Sequence, residues 1–236
     1  MKYSNFTKLT VLFFASIISI NVLAQSSRSV NVNNFNNIGV SSGIDLYLTQ
    51  GNSESLVIKG REEIIKNVIV EQKNGGLTIK YKEGINWKRL FKDNDIDVYV
   101  TYKNLTALSA SGGSDVNTQN TLKTNKISIS ASGGSDMELN IVCKDISIAA
   151  SGGSDIELKG SAENMVLNSS GGSDIDAYGF KVNYAKVNTT GGSDANIYVE
   201  KGLEANATGG SDVKYKGGAA LKKTSNSKSG DVIHVN

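Results

Sequence analysis

Six copies of Gly-Gly-Ser-Asp, ending at Asp115, Asp136, Asp155, Asp174, Asp194 and Asp212, constrain this chain more than any other feature. The intervals between them are 21, 19, 19, 20 and 18 residues. A worn seventh copy, Ser229-Gly230-Asp231, follows 19 residues after Asp212, and Ser42-Gly43-Ile44-Asp45 reads as an outlying relative. A period near twenty residues marks a solenoid, in which each repeat is one coil that buries its apolar face only against its neighbours.

Parity gives the local structure of a coil. Around the second copy, Ile127, Ile129, Ala131, Gly133, Ser135, Met137 and Leu139 share one alternating set. Ser128, Ser130, Ser132, Gly134, Asp136, Glu138 and Asn140 form the other. The third copy repeats this with Ile146 to Leu158, and the sixth with Leu203 to Tyr215. Period-two alternation means strands with one buried face. It persists in number across Gly-Gly, so the motif reads as a bend in an extended path rather than a hairpin. Each coil is thus expected to hold a strand, a glycine corner, a second strand after Asp, and a variable turn such as Lys159-Gly160. Ser114, Ser135, Ser154, Ser173, Ser193 and Ser211 should point inward and bond corner carbonyls or each other, since buried hydroxyls need partners. The motif aspartates should point outward.

Composition agrees. At average usage a chain of 236 residues would carry roughly a dozen prolines; this one has none. Proline removes a ladder donor and is confined to edges and bulges in sheets. Helices are disfavoured, since no segment keeps a 3.6 period and each interior glycine costs close to ~1 kcal/mol. The chain has one Cys, Cys143, and one His, His234. An intrachain disulfide framework, multi-Cys metal sites and His-clustered centres are therefore excluded. A formal charge of +2 argues against nucleic acid as partner.

Residues 1–24 read as a signal peptide. Lys2 and Lys8 precede an uncharged run from Leu9 to Ile20, and Val22-Leu23-Ala24 supplies a small-residue cleavage site. No Cys follows for lipid attachment. The mature chain then has 23 basic and 23 acidic residues and no second apolar stretch long enough to span a bilayer. Export to the periplasm, the cell surface or the medium is expected.

Residues 25–106 lack the repeat motif. Segments 44–48, 55–59, 68–72, 76–82 and 95–102 read as strands, Asn74-Gly75-Gly76 as a tight turn, and 61–67 as one or two helical turns. This third is read as an N-terminal β cap or the first layers of the stack, because solenoids must hide unpaired edges. Residues 107–236 are the repeat solenoid, and 30–236 are expected to be continuous. Within 83–94, Trp87 and Phe91 lie among Lys88, Arg89 and Lys92. This is either a loop tucked against the cap or a contact loop for a partner, since aromatics with cations favour binding.

A signal peptide, Gly84-Ile85-Asn86 and serial Ser-Gly-Gly-Ser-Asp repeats resemble the family described as "putative auto-transporter adhesin, head GIN domain", common in Bacteroidetes. The resemblance covers roughly residues 30–220. It implies a β-solenoid-like fold and an adhesin-like role, and it carries over no catalytic or ligand residues. No outer-membrane strand pattern accompanies it, so the chain is not expected to be an autotransporter by itself.

The expected fold is all-β, a right-handed parallel β-helix of ~19-residue coils; the hand follows the general preference of parallel crossovers. The outward aspartates have two readings. They accept backbone N–H groups at the bend, as Asp does in turns. Alternatively Asp136, Glu138, Asp155, Glu157, Asp174 and Asp176 cluster on three coils as an oxygen-only site, which would suit calcium; no other cofactor is indicated. Cys143 reads as a bystander, His234 as edge packing, and Lys222-Lys223 as a solvated end coil. The leading function is a noncatalytic envelope protein offering its sheet to a glycan, a surface protein or a second copy. The alternatives are a polysaccharide-active β-helix enzyme, which would need a singular acid–base pair, and a purely structural envelope component.

Overall fold

A computed structural model describes residues 26–84, 96–223 and 229–236. The chain enters as β1 (Ser26–Val30), and β2 (Asn37–Ser41) with β3 (Asp45–Gln50) forms the first coil in the sequence. An excursion follows through β4 (Ser55–Gly60), the helical turn α1 (Glu62–Ile65) and β5 (Val68–Lys73). Then come β6 (Gly76–Tyr81), β7 (Asp97–Tyr102), β8 (Ala107–Ser111), β9 (Asp115–Thr118) and the short β10 (Leu122–Lys123). Above them wind β11 (Lys126–Ser132), β12 (Asp136–Val142), β13 (Asp145–Ser151), β14 (Asp155–Ser169), β15 (Asp174–Thr189) and β16 (Asp194–Ala207). The last elements are β17 (Asp212–Lys216), β18 (Ala220–Lys223) and β19 (Asp231–His234).

The coils stack as parallel ladders on both sides of the glycine corner. After the corner the order is β7, β3, β9, β12, β14, β15, β16, β17, β19. Before it the order is β6, β2, β8, β11, β13, then the later halves of β14, β15 and β16, and β18. The coil of β2 and β3 therefore lies between β6 with β7 and β8 with β9, so spatial order departs from chain order. The outer coil is closed by antiparallel strands, β4 on β7 and β5 on β6, with β1 beyond β4. The two-residue turn at Asn74 (φ 51°) and Gly75 (φ 76°) joins β5 to β6, which is the left-handed pair a tight hairpin requires. The segment 25–106 thus contributes both cap strands and two coils of the common stack.

Alternation holds on the strands that flank each corner and breaks where β14 and β15 bend away from it. Val98, Leu46, Val116, Met137, Ile156, Ile175, Ala195 and Val213 form one continuous buried ladder. Each large member contributes roughly 1.5–3 kcal/mol over exposure. Toward the corner the ladder narrows to Ala110, Ala131, Ala150, Ser169, Thr189 and Ala207. The six motif serines are fully buried. Ser154, Ser173, Ser193 and Ser211 donate to the carbonyls of Ser151, Ser170, Thr190 and Thr208 at 2.8–3.1 Å. Ser114 Oγ accepts the N–H groups of Gly43 and Ile44, which confirms the outlying motif copy as a coil corner.

Two details differ from the sequence reading. Gly133, Gly152 and Gly209 belong by parity to the inward set, yet they are exposed, as are their partners Gly134, Gly153 and Gly210. The corner bows outward because left-handed residues such as Gly133 (φ 67°) and Gly134 (φ 75°) turn the chain while leaving the count even. Lys159-Gly160 is also no interruption: β14 runs through it, and Gly160 pairs with Ile141. A Cβ there would strike the Ile141 carbonyl, so glycine lets the strand bend without losing its ladder.

The corner contact predicts a contrast. At Gly191 (φ 79°) a Cβ would lie 2.9 Å from the Gly171 carbonyl oxygen, whereas at Gly153 it would meet nothing within 4 Å. Gly191→Ala is expected to cost about 2–3 kcal/mol, lowering Tm by about 5–10 °C. Gly153→Ala should stay within about 0.5 kcal/mol. Thermal unfolding followed by circular dichroism checks both; equal effects would refute the contact.

Candidate binding face

The strand after each corner turns its odd set outward, and stacking aligns those side chains into columns. The first comprises Asp97, Asp45, Asp115, Asp136, Asp155, Asp174, Asp194, Asp212 and Asp231. All are exposed or half-exposed. Neighbours about 4.8 Å apart repel by only ~0.9 kcal/mol in bulk water, so hydration suffices to hold the column. The Asp212 amide donates to Asp194 Oδ1 at 3.1 Å, and Asp115 accepts the Asp136 amide. At Asp155, Asp174, Asp194 and Asp231 the amide instead reaches the motif Ser carbonyl one level away, at 3.1–3.3 Å. Acceptance of a backbone N–H group by the carboxylate is seen at Asp115 and Asp194.

The second column runs Tyr99, Tyr47, Asn117, Glu138, Glu157, Asp176, Asn196, Lys214, Ile233. It changes from aromatic through acidic to basic. Tyr47 and Tyr99 stack with ring centroids 4.9 Å apart, and Lys59 Nζ lies 4.2 Å from the Tyr99 centroid. Burial, then the Asp97 carboxylate, pushes both tyrosine hydroxyls above their usual pKa. Glu157 is paired with Lys159 at 2.6 Å. Between them, a depression of about 220 Å³ is lined by Asn117, Thr118, Glu138, Asn140, Glu157 and Lys159, with Leu139. Further along, the ladder slips at Ala177/Lys181, which pushes Tyr178 out of register. Lys216 lies 4.8 Å from the Tyr178 ring, and Lys181 lies 4.7 Å from the Tyr198 ring.

The structure thus gathers Asp136, Asp155 and Asp174 into one column and Glu138, Glu157 and Asp176 into the next. They stand side by side along the stack; among the described residues, no group of three or more His, Cys, Asp or Glu side chains is disposed to hold a metal ion. Trp87, Lys88, Arg89 and Phe91 lie outside the described residues, as do Ile85 and Asn86. Cys143 is half-buried against the core. His234 packs on Tyr215, 4.8 Å between rings, and approaches the Gly217 carbonyl at 3.0 Å. Sequence reasoning missed the stacked tyrosine pair. Its signal was available, since Tyr47 stands two residues after Asp45 and Tyr99 two after Asp97.

The family described as "Putative auto-transporter adhesin, head GIN domain" matches residues 34–219. No curated protein matches the chain. A solved structure of a putative adhesin from Bacteroides fragilis NCTC 9343 superposes with a TM-score of 0.81 at 24% identity, covering 90% of this chain and 97% of that one. A putative adhesin from Parabacteroides distasonis ATCC 8503 gives 0.73 at 23%, with coverage of 90% and 97%. A protein from the same organism described as a putative lipid binding protein gives 0.72 at 18%, again covering 90% and 97%. At these identities the likeness establishes the β-solenoid fold.

Asp115 offers a test of the column. Burial first, and then the neighbouring Asp136 and Glu138 charges, raise its pKa, against the lowering effect of the Asp136 amide. A raised carboxyl pKa means that ionisation opposes folding: the group favours the fold while protonated, and that contribution is lost as pH rises through the folded value. Asp115→Asn keeps an acceptor for the amide and removes the charge. It is expected to raise Tm by about 1–2 °C at pH 7, with the difference vanishing below the ordinary value of 3.8. A lower Tm at pH 7 would show that the ionised acceptor matters more than the repulsion.

Proposed function

The chain belongs to that family, and from this premise we propose that it is a noncatalytic, exported cell-envelope protein whose stacked sheet serves as an adhesin-like binding module. The observation that carries the reading is the register of the outward face. Nine levels place aspartate over aspartate, and beside that column a second one grades from tyrosine through carboxylates and amides to lysine, so an ordered polar array is presented along the solenoid. Regular arrays suit polymeric or surface-borne partners, because solenoids create extended binding surfaces from small per-repeat steps. A polysaccharide-cleaving enzyme needs a positioned acid and base. Here carboxylates recur with the repeat, which favours binding over turnover. The leader read in residues 1–24 supplies the route of export, and among the described residues no helix is long and apolar enough to cross a membrane.

The partner is a glycan or a surface protein of the envelope, with self-association as a further mode of the same face. The test is retention of the fluorescently labelled protein on washed envelope fractions and immobilised polysaccharides, with reducing ends and unsaturated sugars assayed in parallel. Saturable binding without product formation is expected. Time-dependent release of oligosaccharides would overturn the noncatalytic reading, and absence of saturable binding would overturn the adhesin-like one.

A further inference from the structure

Opposite the glycine corner, where each coil turns back into the next, the surface is hollowed rather than flat. The hollow spans about 910 Å³ and takes Asn104, Thr106, Lys123, Asn125, Lys126 and Lys144 into its walls. It arises where the repeat is least regular. The coil after Asp115 has only the four residues of β9 and the two of β10 where its neighbour has the seven of β12. Lys123, Lys126 and Lys144 are exposed. None of them makes an ion pair among the described residues, as is also true of Lys66, Lys73 and Lys82 elsewhere; what sets the three apart is that they share one concavity. One carboxylate, Glu163, also lines the hollow. Asp145, the next nearest in sequence, accepts the Asn164 amide at 2.8 Å.

We propose that this groove binds an acidic polysaccharide, with the three lysines engaging its carboxylate or sulfate groups and Asn104 and Asn125 engaging its hydroxyls. The assignment deepens the adhesin-like reading and rests on it. Uncompensated cations in a concavity concentrate field and favour an anionic ligand. The backbone of the groove is already spent: Thr124, Lys144, Asp145 and Glu163 donate their N–H groups to Val142, Asn125, Asn125 and Lys144. Those amides are not available for a peptide to extend, which is the usual route to main-chain recognition. Recognition falls to the side-chain amides of Asn104 and Asn125, which both donate and accept, as neighbouring sugar hydroxyls require; the Thr106 and Thr124 hydroxyls already donate within the protein. The wall holds no aromatic ring, which disfavours single-stranded nucleic acid, whose bases need stacking platforms. Val142, 40% exposed, supplies an apolar contact for the C–H face of a sugar ring.

Cys143 sits in the same wall and makes occupancy measurable. Burial, with a smaller effect of Asp145, pushes its thiol up to about 11, so modification by a thiol reagent is slow and sensitive to cover. The test titrates the purified protein with polygalacturonate at two salt concentrations, using dextran, duplex DNA and anionic phosphatidylglycerol vesicles as comparison probes. Polygalacturonate is expected to bind, more weakly at high salt, and to slow Cys143 modification. The triple variant Lys123→Gln, Lys126→Gln, Lys144→Gln should lose affinity by about tenfold or more at unchanged Tm. The charge-matched variant Lys66→Gln, Lys73→Gln, Lys82→Gln, whose lysines lie in the cap away from both the groove and the outward columns, should bind like the parent.

Equal loss in both variants, no protection of Cys143, or tighter binding of DNA or vesicles would overturn the groove assignment. Polysaccharide binding that survives the triple variant would overturn the groove while leaving the adhesin-like reading intact. Failure to bind any envelope component would remove both.

Discussion

The structure depends on backbone lying directly on backbone at the glycine corner. The Gly172 amide donates to the Gly152 carbonyl, and the Gly192 amide to the Gly171 carbonyl, each at 2.7 Å. At Gly171, Gly191 and Gly209 a Cβ would come within 2.9–3.0 Å of the neighbouring glycine's backbone, closer than real side chains tolerate. Only glycine lets successive coils approach this far while holding φ near 80°. The buried serine ties the bend to its own strand at Ser135, Ser154, Ser173, Ser193 and Ser211, and Ser114 ties its corner to the neighbouring coil. Once corners are superposed, every residue counted outward from them is superposed as well. The buried ladders and the exposed columns are therefore two consequences of one contact.

Much of this was legible because a solenoid writes its geometry into spacing. The interval between motifs gave the coil, and parity gave the buried ladder, the inward serines and the outward aspartates. Parity counts residues and does not see dihedral angles. It therefore placed Gly133, Gly152 and Gly209 inside, where left-handed backbone carries them outside. The inverted order of the first two coils left no local trace. Residues 37–50 and 76–102 carry ordinary strand patterns, and the choice between them as nearest neighbour of 107–118 is made by β4 and β5 capping the outer coil. The single helical turn at Glu62–Ile65 was legible, since Ile64 and Ile65 supply the buried anchor.

The binding surfaces were legible to different degrees. The carboxylate column follows from the motif itself. The stacked tyrosine pair shares its parity but not its repeat, and so passed unnoticed. The lysine-lined groove combines residues from separate levels at the corner where repeats diverge, and no single stretch of sequence contains it. Such division is physically natural. The glycine corner must be uniform to stack, while the opposite corner varies: β14, β15 and β16 run through it, and at the lower levels β10 and β12 end there before β11 and β13 begin. Variation there alters the surface without disturbing register, which is where a scaffold of this kind can acquire selectivity.

The most direct test of the account is amide hydrogen exchange at Gly172 and Gly192 in the native protein. Both residues are exposed to solvent, yet both amides are committed to the neighbouring coil. The account predicts protection comparable to that of the buried ladder amides of β14 and β15, lost only with those strands in a cooperative unfolding. Exchange at the rate of an open surface loop, while the ladders stay protected, would contradict it and would mean that the coils are held in register by their cores alone.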